Sequence, residues 1–393
     1  MTKSLLRPLA ELCSAIETTD PKRDPEREFL YVDISAIDNE KKLISTPQRV
    51  AGKTASVRAR QVVQAKDVLV ATTRPNLNAV ALVPEQYNGE ICSTGFCVLR
   101  ANEELNPDFL FCFVRSPAFV APLVALTKGG LYPAVTDRQV LAQRIPWVPL
   151  VEQRKIAYRL QAQLAEVDAA RQAARAQLSD IRLLRNRMLK SFFAELGDAP
   201  KRKLGDYAVT TSGSTPPRGV KHYWSPAEVA WVKTGEVAFA PITATEEAVS
   251  KRALEECSLS LLPPKTILIA MYGQGKTRGQ SAVLEIAATT NQACFAILPN
   301  ETWEPEFLYL WLKSSYQDLR DMSDGRGGNQ ANLNGSLLKA LSIAAPTKRE
   351  QQQFVARVQA ALIEIDAFEN ACKTALEDIV RLPGRLLAKA FEA

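Results

Sequence analysis

Hydrophobic positions follow one pattern over residues 151–193 and a different one on either side. In this segment, which contains no proline or glycine, apolar residues recur at intervals of three, four and seven, with Arg171 and Arg185 as interruptions. Such spacing is typical of coiled-coil helices. At about 1.5 Å per residue the helix would reach roughly 60 Å, longer than a small domain is wide. The alternative is an ordinary amphipathic helix packed on its own domain. Gly197 and Pro200 are expected to end the helix.

A second helical segment near the C-terminus carries an equivalent apolar stripe, from Phe354 to Ile379. The two stripes are predicted to pair antiparallel and to hold two domains at opposite ends. Pro383-Gly384 stands where the first segment has Arg185-Asn186, so LLAKAFEA is predicted to form a separate short helix. The residues expected to pair the helices and to dock partner helices are Leu160, Leu164, Val167, Leu178, Ile181, Val358, Leu362, Ile365, Leu376 and Ile379.

Each helical segment follows one rich in glycine, proline and β-branched residues. The first contains the strand-like runs FLYVDIS, DVLVA, AVALV and FCVLR and a short aromatic helix, PDFLFCFVRS. The second repeats this plan. The sequence therefore predicts two α/β (α+β) domains in tandem, separated by long helices. The predicted segments are an N-terminal domain over 1–148, a central helical spacer over 149–198, a second domain over 199–345 and a C-terminal helical spacer over 346–393.

An internal duplication joins the two halves of the chain. IPWVPLVEQRKIAYRLQAQLAEVDAA is followed 198 positions later by IAAPTKREQQQFVARVQAALIEIDAF. Identities in predicted elements of different types share this register, so chance is a poor explanation, and the chain is interpreted as a pseudo-twofold repeat. The aligned pairs include Glu152-Gln153 with Glu350-Gln351, Asp168 with Asp366, Phe109 with Phe307, and Gly129-Gly130 with Gly327-Gly328.

Composition sets limits on this picture. The 393 residues, 46% of them hydrophobic, are enough for two or more globular domains. No apolar run reaches the roughly 18 residues of a membrane span and MTKSLLRPLAELCSAIE lacks a signal-peptide core, so a cytoplasmic protein without membrane contact is expected. The seven cysteines are expected to be structural thiols. With His222 as the only histidine and no CxxC pair, no metal site is predicted. The net charge of +6 permits a polyanionic partner.

Polar loops beside the strand-like runs offer groups suited to nucleic acid. Arginine and lysine contact phosphate or guanine, asparagine and glutamine pair with adenine, and glycine lets the backbone come close. Ordinary solvated loops are the alternative for any one of these residues. The candidate DNA-binding residues are Ser56, Arg58, Arg60, Thr73, Arg74, Asn76, Ser212, Ser214, Thr215, Arg218, Lys221, Lys233, Thr234, Gln274, Lys276, Arg278, Arg326, Asn329 and Asn332.

Several longer stretches occur in a characteristic order: YVDISAID; SVRARQVVQAKDVLVATTRPNLNAVALVPE with ICSTGFCVLR; TTSGSTP with YWSPAEVAWVKTGEV; and the segments running into EQRKI and EQQQF. With the duplication, this order resembles the specificity (S) subunit of Type I restriction-modification systems over nearly the whole chain. The resemblance implies two target-recognition domains, each reading one half of a bipartite, asymmetric site in double-stranded DNA. It also implies helices that dock two methyltransferase (M) subunits, with restriction (R) motor-nuclease subunits as further partners.

The same resemblance implies a non-catalytic chain that holds no cofactor itself. S-adenosylmethionine would be bound by the methyltransferase partner, which flips the adenine out of the base stack. In keeping with this, the sequence has no NPPY-like tetrapeptide and no FxGxG-like loop, and DNEKK at residues 38–42 is predicted to be a polar turn. The specificity subunit of a related methyltransferase-nuclease fusion system remains an alternative.

AMYGQGKT, from Ala270 to Thr277, supports another alternative, a P-loop nucleotide-binding enzyme. A P-loop must open a helix whose N-terminus holds the phosphates. The continuation RGQSAVLEIA has Gly279 followed by a β-like run, so a hairpin loop is predicted instead. The counterpart in the first copy, ATTRPNLN, has Pro75 and no Gly-Lys-Thr. This difference favours a variable recognition loop.

Overall fold

The computed structural model describes residues 5–127, 133–273, 275–324 and 332–391. Packing divides the chain into two compact units, of which the first is built from two segments of the sequence and the second from one. Unit 1 comprises residues 1–176 with 373–393, and unit 2 comprises residues 177–372. Each long helix therefore contributes one part to unit 1 and the other part to unit 2.

Unit 1 contains twelve described strands arranged in small sheets. The sheet orders are β6-β3-β10-β7, β2-β11-β8-β9, β1-β12 and β4-β5, where the strands are β1 (Leu5–Pro8), β2 (Cys13–Ser14), β3 (Glu28–Val32), β4 (Ile37–Asp38), β5 (Leu43–Ile44), β6 (Gln48–Ala51), β7 (Ala59–Val62), β8 (Val68–Ala71), β9 (Val80–Leu82), β10 (Ile91–Ser93), β11 (Phe96–Ala101) and β12 (Arg144–Trp147). Its helices, apart from the two long ones, are α1 (Leu9–Leu12), α2 (Pro107–Val114), α3 (Pro117–Ala125) and α4 (Asp137–Leu141).

The long helix α5 (Leu150–Ala194) leads from unit 1 into unit 2. The strands of unit 2 are β13 (Lys201–Lys203), β14 (Thr210–Ser212), β15 (Val229–Val232), β16 (Glu247–Val249), β17 (Ile267–Ala270), β18 (Ser281–Val283), β19 (Thr289–Thr290), β20 (Cys294–Ile297) and β21 (Ser342–Ala344). Its helices are α6 (Leu204–Tyr207), α7 (Lys251–Glu256), α8 (Pro305–Ser314), α9 (Tyr316–Asp324) and α10 (Gly335–Lys339), and α11 (Lys348–Phe391) returns to unit 1.

The predicted duplication is visible in the strand pairing. In unit 1 β8 pairs antiparallel with both β9 and β11, and in unit 2 β17 pairs antiparallel with both β18 and β20. The parallel pair β3 with β10 has its counterpart in β15 with β19, and the antiparallel pair β1 with β12 has its counterpart in β13 with β21. The two units thus share one mixed α/β topology.

The central strand of each unit is buried on both faces. In β8, Val68 and Val70 belong to the core that includes Phe109 of α2, whereas Leu69 and Ala71 belong to a second core on the other face. All four residues of β17 are also buried, divided between two cores in the same way. Two covered faces account for the continuous apolar runs DVLVA and TILIA, which lack the alternation of a half-exposed strand.

A fully buried glutamine joins the start of α5 to the start of α2. The Oε1 atom of Gln153 accepts a hydrogen bond of 2.8 Å from the Asn106 amide. Its Nε2 donates to the carbonyls of Glu104, at 2.9 Å, and Val148, at 2.8 Å. These bonds satisfy backbone groups that burial would otherwise leave without partners.

Gln351 repeats this arrangement in unit 2. Its Oε1 accepts from the Glu304 amide, and its Nε2 donates to the carbonyls of Thr302 and Pro346, each at 2.8 Å. Every participant lies 198 residues after its counterpart in unit 1. We call these two sets of bonds the glutamine clasps. They confirm the predicted register atom by atom.

The two long helices run antiparallel where both belong to unit 2. Arg185 of α5 forms ion pairs with Asp366 and with Glu369 of α11, the latter at 2.8 Å. Glu195, directly after the last residue of α5, pairs with Arg357 at 2.7 Å. The residue number of the α11 partner thus falls as the number along α5 rises. Arg185 interrupts the apolar stripe, and the ion pairs explain how a charged side chain is accommodated there.

The predicted break at Pro383-Gly384 is wrong, because α11 continues without interruption from Lys348 to Phe391. A proline inside a helix removes one backbone hydrogen bond and crowds the preceding turn, at a cost of about 3 kcal/mol. Burial of the last turns offsets this cost. Leu387 and Phe391 lie four residues apart on one helix face, are 2% and 3% exposed, and belong to the core of unit 1. Residues 386–391 are therefore the end of α11.

All seven cysteines are free thiols. Burial raises the pKa of Cys112 to about 11 and that of Cys294 to about 12, so both stay neutral at physiological pH.

Among the described residues no single helix is both long and apolar enough to cross a bilayer; only the bent pair α2 and α3, at 52°, would meet those two criteria together.

Candidate nucleic-acid interface

The hairpin loop between β8 and β9 displays three candidate residues of unit 1. Thr73, Arg74 and Asn76 are exposed, and Arg74 has a left-handed backbone with φ of 51°. The loop is fixed on a neighbouring segment: the Arg74 amide donates to the Pro133 carbonyl at 2.7 Å, and the Val135 amide donates to the Thr72 carbonyl at 2.8 Å. The loop therefore presents its polar side chains from a supported backbone.

The corresponding loop of unit 2 lies between β17 and β18. Its support is equivalent, since the Leu333 amide donates to the Met271 carbonyl at 3.1 Å. This bond brings exposed Asn332 close to the loop that carries exposed Lys276, whose carbonyl accepts from the Tyr316 hydroxyl at 2.6 Å. Leu333 and Val135 are again 198 positions apart.

The β17–β18 connection is an antiparallel hairpin, with Ile269 opposite Ser281. Residues 275–280, the described part of the connection after Gly273, form turns and no helix. The predicted hairpin loop is confirmed, and the helix that a P-loop would need is missing from those residues. Arg278 is buried, so its side chain is not presented on the surface of this loop. Gln274, Arg326 and Asn329, like the paired glycines of the repeat, lie outside the described residues.

A second group of unit 1 candidates lies at and before β7, and one of its members, Arg60, lines a cleft of about 730 Å³. Arg60 lines it and pairs with Asp20 at 2.6 Å. Ser56 and Arg58 precede β7 and are exposed, and the Ser56 hydroxyl accepts from the Arg58 amide at 3.2 Å. Sequence reasoning missed two further arginines in the lining, Arg23 and Arg27. The charged run PKRDPER was the available signal.

In unit 2 the TTSGSTP stretch passes close to β19. A Cβ atom at Gly213 would lie 1.7 Å from the Thr290 carbonyl oxygen, so only glycine fits there. The close approach lets the Ser214 amide donate to the same carbonyl at 3.0 Å. The Ser214 carbonyl in turn accepts from Nε1 of Trp231 at 3.1 Å. This segment is thereby fixed on the sheet just before Arg218.

Arg218 lies in a cluster of aromatic and charged side chains. Its guanidinium carbon is 3.9 Å from the centre of the Trp224 ring and 5.1 Å from that of Trp231. Its two terminal nitrogens face the Glu247 carboxylate, and Lys233 reaches the same carboxylate at 3.1 Å. We call these five residues the Arg218 cluster. Trp224, Trp231 and Glu247 were not predicted, because their spacing in the sequence gives no sign of their contact.

The remaining candidates of unit 2 divide by their internal contacts. The Thr215 hydroxyl bonds to Gln292 at 2.5 Å, and the Thr234 hydroxyl bonds to Asn291 at 2.9 Å, which ties both side chains to the segment after β19. Ser212 and Lys221 are exposed. The latter two side chains are therefore more accessible to an outside partner than the two threonines.

The predicted docking residues are all buried or half-buried, but they do not all have the same neighbours. Leu160 and Leu164 belong to the core of unit 1, whereas Val358 belongs to a core of unit 2. Ile181 and Ile365 line an apolar groove of about 470 Å³ on the helices of unit 2. The groove also includes Leu184, Phe368 and Cys372, with Leu184 56% and Phe368 67% exposed. We call this surface the helix groove.

Within the described ranges, histidine, cysteine, aspartate and glutamate side chains form no group of three or more that could hold a metal ion.

The chain is similar to known proteins in both sequence and fold. The sequence profile of the family described as "Type I restriction modification DNA specificity domain" matches residues 10–175 and 198–378. A relative from Methanocaldococcus jannaschii, the Type I restriction enzyme MjaIX specificity subunit, is 30% identical over 168 residues. That alignment covers 40% of this chain and 38% of the relative, so it spans well under half of either protein.

Two solved structures match over nearly the whole chain. One comes from work on complex assembly and conformational transition of the type I R-M system; it is 30% identical, with a TM-score of 0.83, and the match covers 98% of this chain and 97% of that one. The other, the HsdS subunit from Thermoanaerobacter tengcongensis, is 29% identical, with a TM-score of 0.62, and the match covers 100% of this chain and 98% of that one. The tandem organisation is thus shared in both sequence and fold.

Proposed function

The chain belongs to the Type I restriction modification DNA specificity family, and we propose that it is the sequence-specific DNA-binding subunit of a Type I restriction-modification complex. Unit 1 reads one half of a bipartite, asymmetric target in double-stranded DNA, and unit 2 reads the other. The observation that carries this proposal is one scaffold present twice, with the same glutamine clasps but different polar hairpin loops.

The contrast between clasps and loops fits a reader of two different half-sites. Groups that hold the scaffold are repeated 198 positions apart, whereas the β8–β9 loop offers Arg74 and Asn76 and the β17–β18 loop offers Lys276. Base edges are distinguished by the donors and acceptors they meet, so different side chains on the same support read different bases.

We further propose that the helix groove receives helices of methyltransferase subunits. Exposed large apolar side chains such as Leu184 and Phe368 lie there beside buried Ile365, and an apolar helix surface of this kind is stabilised by a partner helix. The methyltransferase subunits would bind S-adenosylmethionine and transfer the methyl group, and restriction subunits would join in a complete complex. This chain would supply recognition without catalysis.

The test is DNA binding by the chain assembled with its methyltransferase subunits, measured by fluorescence anisotropy at several salt concentrations. We expect one bipartite sequence to be preferred and log affinity to fall steeply with log salt, by about 0.9 for each phosphate contacted. Arg74→Ala should weaken the response to changes in the first half-site, and Lys276→Ala the response to changes in the second. Arg154→Ala removes an exposed charge from α5 and serves as the control.

Binding that is equally strong on every sequence, or that does not change with salt, would rule out this function. Nucleotide hydrolysis by the isolated chain should stay at background, with no change in Lys276→Ala. Turnover that Lys276→Ala abolished would instead support the nucleotide-binding alternative.

A further inference from the structure

The Arg218 cluster holds an exposed arginine in one orientation. Stacking on Trp224 restricts the plane of the guanidinium group, and the two-point contact with Glu247 restricts its rotation in that plane. Trp224 is itself fixed, since its Nε1 donates to the Pro217 carbonyl at 3.3 Å and its ring packs edge-on against Trp231 at 5.2 Å. The side chain is preorganised although 54% of it remains exposed.

One edge of the guanidinium group is still available. The bonds to Glu247 come from the two terminal nitrogens, and within the described ranges no hydrogen bond involves Nε of Arg218. The Nε hydrogen and the second hydrogen of one terminal nitrogen lie side by side on a free edge of the planar group. Two parallel donors on a fixed plane match two acceptors on a planar ligand.

The charges of the cluster favour geometric recognition over simple attraction. Lys233 and Arg218 face Glu246 and Glu247, so two cations are balanced by two carboxylates. Hydrogen bonds from Arg218 and Lys233 lower the pKa of Glu247, which therefore stays ionised. A phosphate contact depends on net positive charge, whereas a base edge depends on the placement of donors.

We propose that Arg218 reads a guanine in the half-site recognised by unit 2, donating to the O6 and N7 atoms in the major groove. Trp224 and Glu247 act as positioning residues. The inference rests on the proposed function and deepens it by assigning one residue to one base.

Unit 1 has no equivalent of this cluster at the corresponding ladder position. Glu247 of β16 lies opposite Trp231 of β15. In unit 1, Gln48 of β6 lies opposite Tyr31 of β3, so an amide replaces the carboxylate. The effect of Arg218 should accordingly be confined to one half-site.

The test uses the chain assembled with its methyltransferase subunits and duplexes in which each guanine·cytosine pair of the target is changed in turn. In the wild type, one pair in the second half-site should lose about tenfold to hundredfold in affinity when replaced by adenine·thymine. Replacing only that guanine by 7-deazaguanine, which lacks the N7 acceptor, should cost about tenfold. Arg218→Ala should bind the unmodified target correspondingly more weakly and respond to neither change.

Two further variants separate base reading from other roles. Arg218→Lys keeps the charge but loses the planar pair of donors, so it should lose the same discrimination; it also covers the case in which Arg218→Ala does not assemble. Lys251→Ala removes an exposed charge from α7 that is not among the candidate DNA-binding residues, and it should retain the guanine preference.

An equal loss of affinity on all sequences in Arg218→Ala, or retention of every guanine preference, would overturn the assignment, as would a second half-site without guanine. A wild-type complex that prefers no sequence would instead overturn the proposed function, so the two failures are distinguishable.

Discussion

Units 1 and 2 have the same strand pairing but solve one packing problem in different ways. In unit 1, Asp67 directly precedes β8, its side chain is 2% exposed, and it pairs with Arg100 of β11 at 2.8 Å. The aligned positions in unit 2 are Thr266 and Leu298, beside β17 and β20. The Thr266 hydroxyl donates to the Pro263 carbonyl at 2.8 Å. A buried ion pair in one copy thus corresponds to a hydroxyl and an apolar side chain in the other.

The glutamine clasps show the opposite behaviour, because both copies keep the same residue and the same three bonds. A buried amide that satisfies one donor and two acceptors of the backbone has few substitutes. An ion pair between two side chains can be replaced when both partners change together. The buried glutamines are therefore required by the scaffold of both units, whereas the residues at the positions of Asp67 and Arg100 can differ between them.

The largest expected effect comes from breaking the ion pair that only unit 1 has. Arg100→Leu introduces the residue of unit 2 but leaves the buried Asp67 without its charged partner, which should lower the free energy of unfolding by about 4 kcal/mol. Adding Asp67→Thr should restore most of this loss, because the pair then matches that of unit 2. Urea unfolding, monitored by hydrogen exchange of amides in unit 1, measures the loss in the single variant and the recovery in the double variant.

Arg49→Leu is the matched control for Arg100→Leu. It removes an exposed ion pair with Glu28, at 3.5 Å, and should change the free energy of unfolding by less than about 1 kcal/mol. If the double variant were no more stable than Arg100→Leu, the two copies would not be interchangeable at this position.

The clasps provide the next test. Gln153→Leu or Gln351→Leu leaves one amide and two carbonyls buried without partners, so each should cost about 3 kcal/mol. Hydrogen exchange should show faster opening in unit 1 for the first variant and in unit 2 for the second. Gln352→Leu, at the exposed neighbouring position, is the control. If the two clasp variants lowered the free energy of unfolding by clearly different amounts, the same hydrogen-bond geometry would not contribute equally to the stability of the two units.

The smallest effect concerns the β8–β9 loop of unit 1. Lys42 Nζ donates to the carbonyl of Asn78, at the end of this loop, at 2.5 Å. Burial, reinforced by Arg115, lowers the pKa of Lys42 from 10.5 to about 8. Between pH 8 and 10.5 the unfolded chain therefore binds more protons at Lys42 than the folded chain, so stability rises with pH in this window.

Comparison of Lys42→Met with the wild type isolates this contribution, which should be below about 1 kcal/mol because the side chain is only partly buried. The measurement is urea unfolding at pH 7.5, 8.5 and 9.5. A stability difference between the two proteins that stayed constant over these pH values would contradict the shifted pKa.

Sequence reasoning succeeded where the signal was local or repeated. The period of apolar residues predicted α5 nearly to its ends, and Gly279 with the following β-like run predicted the hairpin after β17. It failed at Pro383, where the local rule was correct but the burial of Leu387 and Phe391 outweighed it. The Arg218 cluster was beyond its reach, because 29 residues separate Arg218 from Glu247 and only strand pairing joins them.

The sequence by itself determined the duplication, the helical segments and the family, since periodicity and order are properties of neighbouring residues. Only the tertiary structure decided which polar groups are buried and which loops they support. Asp67 and Thr266 occupy equivalent places in the repeat, yet one pairs with an arginine and the other with a carbonyl. The physical reason is that the cost of burying a polar group depends on the partners that folding brings to it from distant parts of the chain.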